Sequence, residues 1–220
     1  MATSYSPKII TDGLVLCLDA GDSKSYGGSG TTWTDRSGQG NNGTLTNGPT
    51  FNSGNGGYIT FAGDDDHIPF TCDDFGTDNT VEMWARWHGT GNRMFCAWSS
   101  CYDIWTIDGD LGFNTCGGDI YGFSASSLAN IWHHFVFVFK QQIQDNSIYI
   151  NGVSQTLSKK RGNTNLTSNR SFSTNFRLGG WTGGSYYYDG DMAIAKVYDR
   201  ALTAAEVLQN YNATKGRFGL

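Results

Sequence analysis

The segment "IWHHFVFVFK" (residues 131–140) constrains the fold more than any other part of the sequence. Successive side chains of a β-strand point to opposite faces, so Phe135 and every second residue after it would lie on one face, and Val136 and Val138 on the other. Because both faces are apolar, the segment predicts a central strand that is covered on both sides. Asn151-Gly152 follows between two apolar runs, which is the pattern of a tight β-hairpin.

Shorter alternating segments recur along the chain. About a dozen of them, separated by turn residues, occur at intervals of roughly 8 to 12 residues, which is typical of a sandwich. The chain has 30 glycines among its 220 residues, and 14% of its residues are aromatic, which suits short strands and tight turns around a well-filled core. The sequence therefore predicts an all-β fold, an antiparallel β-sandwich.

The C-terminal part of the sequence predicts one short helix. Thr203 can cap the first turn with its hydroxyl while Glu206 binds back to the Thr203 N–H, which is a capping box. Leu202 and Val207 are spaced as a hydrophobic staple, and Gly216 predicts that the helix ends within the two residues before it. The predicted apolar stripe comprises Ala204, Val207, Leu208 and Tyr211.

The length and the absence of a linker-like segment predict a single domain. A chain of 220 residues fits one large all-β domain. We expect residues 1–10 to form an N-terminal arm and residues 11–220 to form the sandwich. The predicted core comprises Leu14, Leu16, Leu18, Met83, Trp84, Phe135, Phe137, Ile148, Ile150, Ile194 and Val197.

Charge and hydropathy argue against two classes of partner. The chain has 15 basic and 20 acidic residues, and the run at residues 159–161 is too short to follow a phosphate backbone. The N-terminal sequence has no apolar signal region, and no segment approaches the roughly 20 apolar residues of a membrane span. We therefore expect no nucleic-acid partner, no export by a classical signal and no membrane insertion.

The cysteines and histidines predict neither a disulfide framework nor a metal centre. His133 and His134 are adjacent on a strand, so they point to opposite faces and cannot hold one ion together. The cysteine count is odd and no Cys-x-x-Cys pair occurs, which predicts mostly reduced, buried thiols. The five cysteines are Cys17, Cys72, Cys96, Cys101 and Cys116.

Several motifs, taken in order, resemble one known family. "GLVLCLDAGD", "WTDRSGQGNNGTL" and "GGYITFAGDDDHI" in the first half, and "IWHHF", "IYINGV" and "GDMAIAKVYDRALTAAEV" in the second, resemble laminin G-like jelly-roll domains of the concanavalin A-like lectin and glucanase superfamily. The resemblance extends from Gly13 to Gln209. It implies a jelly-roll sandwich in which a final strand crosses the sheet and a short helix packs against its edge.

The amino-acid sequences of the opening and closing motifs are most similar to versions of this domain in virion structural proteins of tailed bacteriophages. That resemblance implies a non-catalytic virion protein, a capsid decoration or a tail or fibre component, that is assembled in the host cytoplasm. Its partners would be other virion proteins, with the arm from Met1 to Ile10 as a major attachment, and it would be oligomeric in the assembly. The alternative for the arm is an extra edge strand folded back on its own sandwich.

Catalysis is the first function to weigh, because glucanases share the implied fold. Retaining glycosidases need two carboxyl groups about 5 to 5.5 Å apart. The sequence has only two glutamates, Glu82 and Glu206, of which the second is assigned to the helix cap and the first has no acidic neighbour at suitable spacing. Asp108 and Asp110 lie around a turn glycine and predict a hairpin tip. We therefore expect no enzymatic activity.

Calcium binding is a more specific hypothesis than catalysis. The resemblance implies a calcium ion at the rim of the sandwich, and Ca²⁺ takes six to eight oxygen ligands. The alternative is that aspartate and asparagine are turn formers here, and "AGDDDHI" predicts a solvated turn rather than a site. The candidate ligands in the matching loops are Asp19, Asp35, Asn42 and Asp191.

An aromatic loop near the C-terminus is the candidate contact surface. The loop is rich in glycine, so some of its rings should be exposed. Such rings can stack on sugars or can line a protein interface, where tyrosine and tryptophan are enriched. The candidate residues are Trp181, Tyr186, Tyr187 and Tyr188.

Two classes of function remain open. The first is a virion structural protein that acts through protein contacts and host-surface adhesion. The second is a calcium-dependent, glycan-binding adhesion module. Glycan binding measured with and without a chelator would distinguish them.

Overall fold

In the computed structural model, two large antiparallel sheets enclose a common apolar core. The structure describes residues 7–71, 76–98, 101–114, 118–163, 165–167 and 175–220. The strands, numbered in chain order, are β1 (Leu14–Asp19), β2 (Thr32–Trp33), β3 (Gly43–Thr44), β4 (Thr50–Asn52), β5 (Tyr58–Ala62), β6 (Ile68–Thr71), β7 (Asn79–Trp87), β8 (Arg93–Trp98), β9 (Cys101–Ile107), β10 (Asp110–Phe113), β11 (Ile120–Ser124), β12 (His133–Phe139), β13 (Ser147–Ile150), β14 (Val153–Ser154), β15 (Ser158–Arg161), β16 (Asn175–Leu178) and β17 (Asp189–Tyr198).

The strand order confirms the predicted antiparallel sandwich of jelly-roll type. The eight-stranded sheet has the order β14-β13-β12-β7-β17-β5-β4, with β1 also paired to β17. The seven-stranded sheet has the order β15-β11-β10-β9-β8-β16-β6, and β2 pairs with β3 in a small ribbon. All of these pairs are antiparallel.

Strand β12 has the central position that its sequence predicts. It pairs with β7 on one side and with β13 on the other. Phe135 and Phe137 are fully buried in the core between the sheets, whereas Val136 and Val138 are buried on the opposite face of their sheet. The predicted hairpin joins β13 to β14, with Asn151 at φ 54° and Gly152 at φ 79°, as a type I′ turn requires.

All eleven predicted core residues are buried, but they do not all lie between the two sheets. Trp84 and Ile194 belong to a cluster on the outer face of the eight-stranded sheet, and Leu14 belongs to another. These two clusters are covered by the C-terminal segment. The eight-stranded sheet is therefore packed on both faces.

Helix α1 (Ala204–Thr214) begins with the predicted capping box. The Thr203 hydroxyl accepts from the Glu206 N–H, and the Glu206 carboxylate accepts from the Thr203 N–H at 2.8 Å. Leu202 and Val207, the predicted staple, are buried in one cluster. Since α1 has 11 residues, it is too short to cross a membrane, and the described residues contain no helix that could.

Two details of the predicted helix are wrong. Leu208 is 47% exposed, and Asn210 is buried in its place because its amide binds Glu82 and the Tyr198 hydroxyl. The α-helix ends at Thr214, as predicted, but a 3₁₀ helix (Lys215–Phe218) follows it directly, and Gly219 rather than Gly216 takes the positive φ of 75°. The other 3₁₀ helices are Gly54–Gly56 and Ile143–Asp145.

The described part of the N-terminal arm lies against α1. The Gln209 amide donates to the Lys8 carbonyl at 2.8 Å, the Ile10 N–H donates to the Asn210 side chain at 2.8 Å, and the Tyr198 hydroxyl donates to the Ile10 carbonyl. These contacts are made with a helix and with one strand residue, not through strand pairing. Residues 1–6 of the predicted arm lie outside the described residues.

The cysteine prediction can be followed at two positions. Cys17 and Cys96 are free and buried, and burial raises the pKa of the Cys17 thiol to about 11. Cys72 and Cys116 lie outside the described residues, as does the side chain of Cys101.

Strand β15 forms one edge of the seven-stranded sheet. All four of its residues are exposed, and three of them are basic: Lys159, Lys160 and Arg161. Its neighbour β11 is the only strand with which it pairs among the described residues.

Candidate functional site

A pocket of about 190 Å³ opens on the outer face of the seven-stranded sheet. Trp105 of β9 and Met94 of β8 belong to an apolar cluster that is separate from the core between the sheets. The loop between β16 and β17 adds two more aromatic rings. The residues that line the pocket are Met94, Asp103, Trp105, Asn114, Gly118, Trp181 and Tyr186.

Two glycines lie beside Trp105 on the outer face of the sheet. Gly112 of β10 lies opposite Trp105 on one side and opposite Gly122 of β11 on the other, so the three positions share one face of the sheet. A Cβ atom would lie 2.4 Å from a backbone oxygen at Gly112 and 2.0 Å from one at Gly122. The close approach of the two strands therefore requires glycine, and the side chain of Ile120 packs over Gly112 in the same cluster as Trp105.

The loop residues are held in place by backbone hydrogen bonds. The Trp181 N–H donates to the Ser185 carbonyl and the Gly184 N–H donates to the Trp181 carbonyl, each at 3.0 Å. Tyr186 then takes a φ of 55°, a region that aromatic residues rarely adopt, and its carbonyl accepts from the Met94 N–H at 2.8 Å. Its ring meets the Trp105 ring edge-on, with centroids 5.3 Å apart.

Asp103 is the charged group of the pocket. Its side chain is fully buried, and its Oδ2 lies 3.3 Å from the Asn114 amide nitrogen. Its Oδ1 has no hydrogen-bond partner among the described residues. Burial raises the pKa of Asp103 to about 7, although the Asn114 amide and the Trp98 N–H oppose the shift. The carboxyl group therefore titrates near neutral pH.

The structure separates the four predicted aromatic contacts. Trp181 and Tyr186 line the pocket, and Tyr186 is 41% exposed. Tyr187 is half-buried outside the pocket, near His67. Tyr188 must be corrected, because it is fully buried and its ring packs in the core, so it supports the loop from below and has no surface to offer a ligand.

Sequence reasoning missed the residues that the sheet contributes. In "YDIWTID" the strand alternation puts Asp103 and Trp105 on the face opposite Ile104, and that signal is present in the sequence. The alternation does not reveal that this face meets Trp181, which follows Trp105 by about 75 positions in the chain. Only the pairing of β8 with both β9 and β16 brings these segments together.

Two of the four predicted calcium ligands lie together. Asn42 Oδ1 accepts from the Asp35 N–H at 2.9 Å. The Asp35 carboxylate accepts from the N–H groups of Cys17 and Ser37, both at 2.8 Å, and from the Ser37 hydroxyl and the Asn41 N–H. Asp35 is buried and organises the loop after β2 through these bonds.

The other two predicted ligands form separate ion pairs. Asp19 lies 2.5 Å from a guanidinium nitrogen of Arg217. Asp191 is 2% exposed, pairs with Arg86 at 2.7 Å and accepts from the Thr60 hydroxyl. Calcium binding at the four predicted residues stays a prediction, with the added condition that an ion would have to displace these partners.

Three consecutive aspartates form a second cluster of acidic side chains. The carboxylate oxygens of Asp64, Asp65 and Asp66 lie within 4.8 Å of one another, and they form the only such group of three among the described residues. Asp66 is buried and accepts from the Ala62 N–H at 2.9 Å, whereas Asp64 and Asp65 are exposed. The group lies in the turn between β5 and β6.

Glu82 lies in the interior, away from any pocket wall described above. Its Oε1 is 2.5 Å from Lys196 Nζ and 3.1 Å from His134 Nε2, and its Oε2 accepts from the Asn210 amide at 2.6 Å. All four side chains are buried. The contacts give Glu82 a structural role beneath α1, and the expected absence of glycosidase activity stays a prediction.

A family model described as the concanavalin A-like lectin/glucanases superfamily matches residues 53–208. No curated protein matches the chain significantly. The matched family is the one that the sequence motifs resemble.

Solved structures with the same fold include two binding domains and a sialidase. The binding domain of Paraclostridial Mosquitocidal Protein 1 is 17% identical, with a TM-score of 0.66, over 92% of this chain and 52% of that one. The binding domain of botulinum neurotoxin DC in complex with SialylT is 13% identical, with a TM-score of 0.67, over 93% and 52%. The Trypanosoma rangeli sialidase in complex with the inhibitor DANA is 15% identical, with a TM-score of 0.67, over 94% and 35%. The chain thus spans about half or less of each, and the likeness concerns the fold.

Proposed function

The chain belongs to the concanavalin A-like lectin/glucanase superfamily, and from that premise we propose that it is a glycan-binding module whose site is the pocket of Trp105, Trp181 and Tyr186. The observation that carries the proposal is the convergence of these three rings on one pocket that also contains a buried carboxyl group.

The chemistry of the pocket suits a sugar. Ligand sites in proteins combine apolar and aromatic walls with a few polar groups that orient the ligand. Trp181 and Tyr186 offer accessible apolar ring surface for the C–H face of a pyranose, whereas Trp105 is 3% exposed and packs beside them. The buried Asp103 and Asn114 are the polar side chains of the lining. The volume of about 190 Å³ suits a small ligand group rather than a long stretch of oligosaccharide.

The arrangement of the two sheets also favours this location. The outer face of the eight-stranded sheet is covered by α1 and the 3₁₀ helix that follows, with Phe218 stacked on Trp84. The seven-stranded sheet carries the pocket on its outer face instead. A ligand that meets a sheet face of this domain would therefore meet the seven-stranded sheet.

The solved structures support the class of function and no more. Two of them are binding domains, one in complex with SialylT, and one is a sialidase. Because the sequence identities are this low, the ligands of those proteins do not identify the ligand of this chain. They make a binding role a reasonable proposal for this chain.

A glycan array read with and without a chelator tests the proposal. We expect binding that is lost in Tyr186→Ala and Trp181→Ala and kept in Tyr187→Ala, a matched control in the same loop but outside the pocket. Binding that survives both pocket variants, or no binding to any glycan, would contradict it. Loss of binding with chelator would add the calcium dependence predicted from Asp35 and Asn42.

As the setting for this module we propose the virion of a tailed bacteriophage, with other virion proteins as partners. The support is the resemblance of the opening and closing motifs in the sequence. The described end of the arm, Lys8 to Ile10, is engaged with α1 of its own domain, so an attachment to a partner would use residues 1–6.

Two deletions test this setting. Removal of residues 1–6 leaves the contacts of Lys8 and Ile10 intact, whereas removal of residues 1–10 also loosens α1. If the arm attaches the protein, the shorter deletion should fold normally and fail to enter particles. Normal incorporation of that variant would contradict an attachment through the arm.

A further inference from the structure

The pocket has an electrostatic character that the proposed function does not use. Its lining contains three aromatic rings, one methionine and one carboxyl group, and it contains no basic side chain among the described residues. We propose that the pocket selects ligands that carry an ammonium group, so that the glycan it binds is an amino sugar. This inference rests on the proposed function and gives it a ligand class.

The rings supply the first part of the argument. The faces of tryptophan and tyrosine rings are electron-rich and attract cations, and tryptophan does so most strongly. Trp105, Trp181 and Tyr186 line one small space, together with the polarizable sulfur of Met94. Trp105 and Met94 are 3% and 2% exposed, so Trp181 and Tyr186 supply most of the accessible ring surface. A neutral sugar would use only the apolar surface of these rings.

Asp103 supplies the second part. A buried carboxylate is stable only when it is paired or fully hydrogen-bonded. Asn114 binds Oδ2, but Oδ1 lacks a hydrogen-bond partner among the described residues although the side chain is fully buried. An ammonium group in the pocket would supply the missing positive charge, without direct contact, because attraction falls off slowly in a region from which water is excluded.

Two arginines and one aspartate lie near the pocket without lining it. Arg161, on β15, donates to the carbonyl of the lining residue Gly118 at 3.2 Å, and its charge is paired with Asp108. Arg177, on β16, donates to the Trp181 carbonyl at 2.6 Å and does not line the pocket. Asp119, beside β11, is buried, and its carbonyl accepts from the Trp105 indole N–H. An acidic sugar would meet Asp103 with a like charge, so the geometry disfavours it.

The protonation of Asp103 gives the inference a characteristic pH dependence. Because burial raises the pKa of this group to about 7, the empty pocket is largely neutral at pH 6 and negatively charged at pH 8. A cation binds the ionised form, so its affinity should rise with pH by up to about tenfold per unit below pH 7 and level off above it. A neutral ligand should lack this dependence.

The first experiment separates charge from shape. Choline has a permanent charge, and 3,3-dimethylbutan-1-ol is its neutral isostere, so their dissociation constants can be compared by calorimetry between pH 5.5 and 8.5. We expect choline to bind at least tenfold more tightly than the isostere at pH 8, with the advantage shrinking below pH 7. Equal binding of the two at pH 8 would overturn the charge selection.

The variant Asp103→Asn should remove the preference and the pH dependence while it keeps the aromatic surface. Asp110→Asn is the matched control, because it removes the same charge from the same sheet outside the pocket. Melting temperatures show whether each variant is folded. If Asp103→Asn does not fold, the pH dependence of the wild-type protein decides the question alone.

A third arm distinguishes the inference from the function on which it rests. Oligosaccharides of glucosamine should bind more tightly than those of N-acetylglucosamine at pH 7, where part of the sugar amino groups and part of the Asp103 carboxyl groups are ionised. Equal binding of both series would overturn the amino-sugar preference and leave glycan binding intact. Binding of choline without binding of any saccharide would support charge selection and overturn the proposed function.

Discussion

The Lys196 ammonium lies 2.5 Å from a Glu82 carboxylate oxygen in the interior beneath α1. Neither side chain is accessible to solvent by more than 2%. The pair joins β7 to β17 and is extended to α1 by Asn210, so it connects the eight-stranded sheet to the helix that covers it.

Breaking this pair should destabilise the protein strongly. Glu82→Gln or Lys196→Met leaves a buried charge without its partner, which costs about 3–5 kcal/mol. The double variant should lose less stability than the two single variants lose together, because neither Glu82 nor Lys196 then remains as an unpaired charge. Urea denaturation measures these free energies. The exposed pair of Lys140 and Asp78 at 2.7 Å is the control, and Lys140→Met should cost about 1 kcal/mol or less.

Glu82 should also make the protein sensitive to acid. Burial alone would raise the pKa of Glu82, but Lys196 and His134 outweigh it and lower the pKa below the ordinary value of 4.5. The stability that the ionised group contributes is therefore complete above pH 4.5 and is lost as the pH falls below it. In unfolding experiments between pH 6 and pH 3, the free energy of unfolding of Glu82→Gln should fall less steeply with decreasing pH than that of the wild type. An identical slope in both proteins would contradict the assignment.

Asp103 should act in the opposite direction. Its pKa is raised from 3.8 to about 7 by burial, so between these values the unfolded chain releases a proton that the folded protein retains. Stability therefore falls as the pH rises through this range, and it becomes constant above about pH 7. Asp103→Asn should be more stable than the wild type at pH 8, as thermal unfolding would reveal. A less stable variant at pH 8 would count against a raised pKa.

Tyr186 should contribute to binding and not to stability. Its ring is 41% exposed and its φ of 55° favours glycine, so Tyr186→Gly should leave the free energy of unfolding within about 1 kcal/mol of wild type, since the relieved strain is of that order. Affinity for the ligand of the pocket should fall at least tenfold. The buried neighbour provides the contrast, because Tyr188→Ala should cost about 3–5 kcal/mol, as for other large buried rings. Equal losses of stability in the two variants would refute the distinction.

Calcium binding has a simple thermodynamic test. A ligand that binds only the folded state at 100 times its dissociation constant adds about 2.7 kcal/mol of stability. Millimolar calcium added to chelator-stripped protein should therefore raise the melting temperature, and Asn42→Ala should reduce the rise. An unchanged melting temperature would remove the prediction for all four candidate ligands.

The fold could be predicted from sequence where local patterns determine it. The alternation in β12, the Asn151-Gly152 turn and the capping box of Thr203 and Glu206 each involve neighbours in the chain, and each is confirmed. The sequence predicts both Met83 and Trp84 as core residues, and both are buried. Because successive residues of β7 point to opposite faces, Met83 lies between the sheets, whereas Trp84 lies on the outer face and is buried there by the C-terminal segment.

The pocket could be predicted only in part for the same reason. Trp181 and Tyr186 stand out in a loop rich in glycine, whereas Trp105 and Asp103 look like ordinary strand residues. Their meeting depends on the order of strands in the sheet, which no local pattern encodes. The exchange of Leu208 for Asn210 on the buried side of α1 has a similar origin, since it depends on Glu82 in a distant strand.

The exposed strand β15 has a consequence for colloidal behaviour. An unpaired sheet edge can template the growth of ordered aggregates through its free backbone groups. Lys159, Lys160 and Arg161 lie on this edge, and two of them form ion pairs, Lys160 with Asp110 at 3.8 Å and Arg161 with Asp108. A second copy pairing with this edge would have to disturb these charged, hydrated side chains, so the strand disfavours fusion of sheets from two copies there.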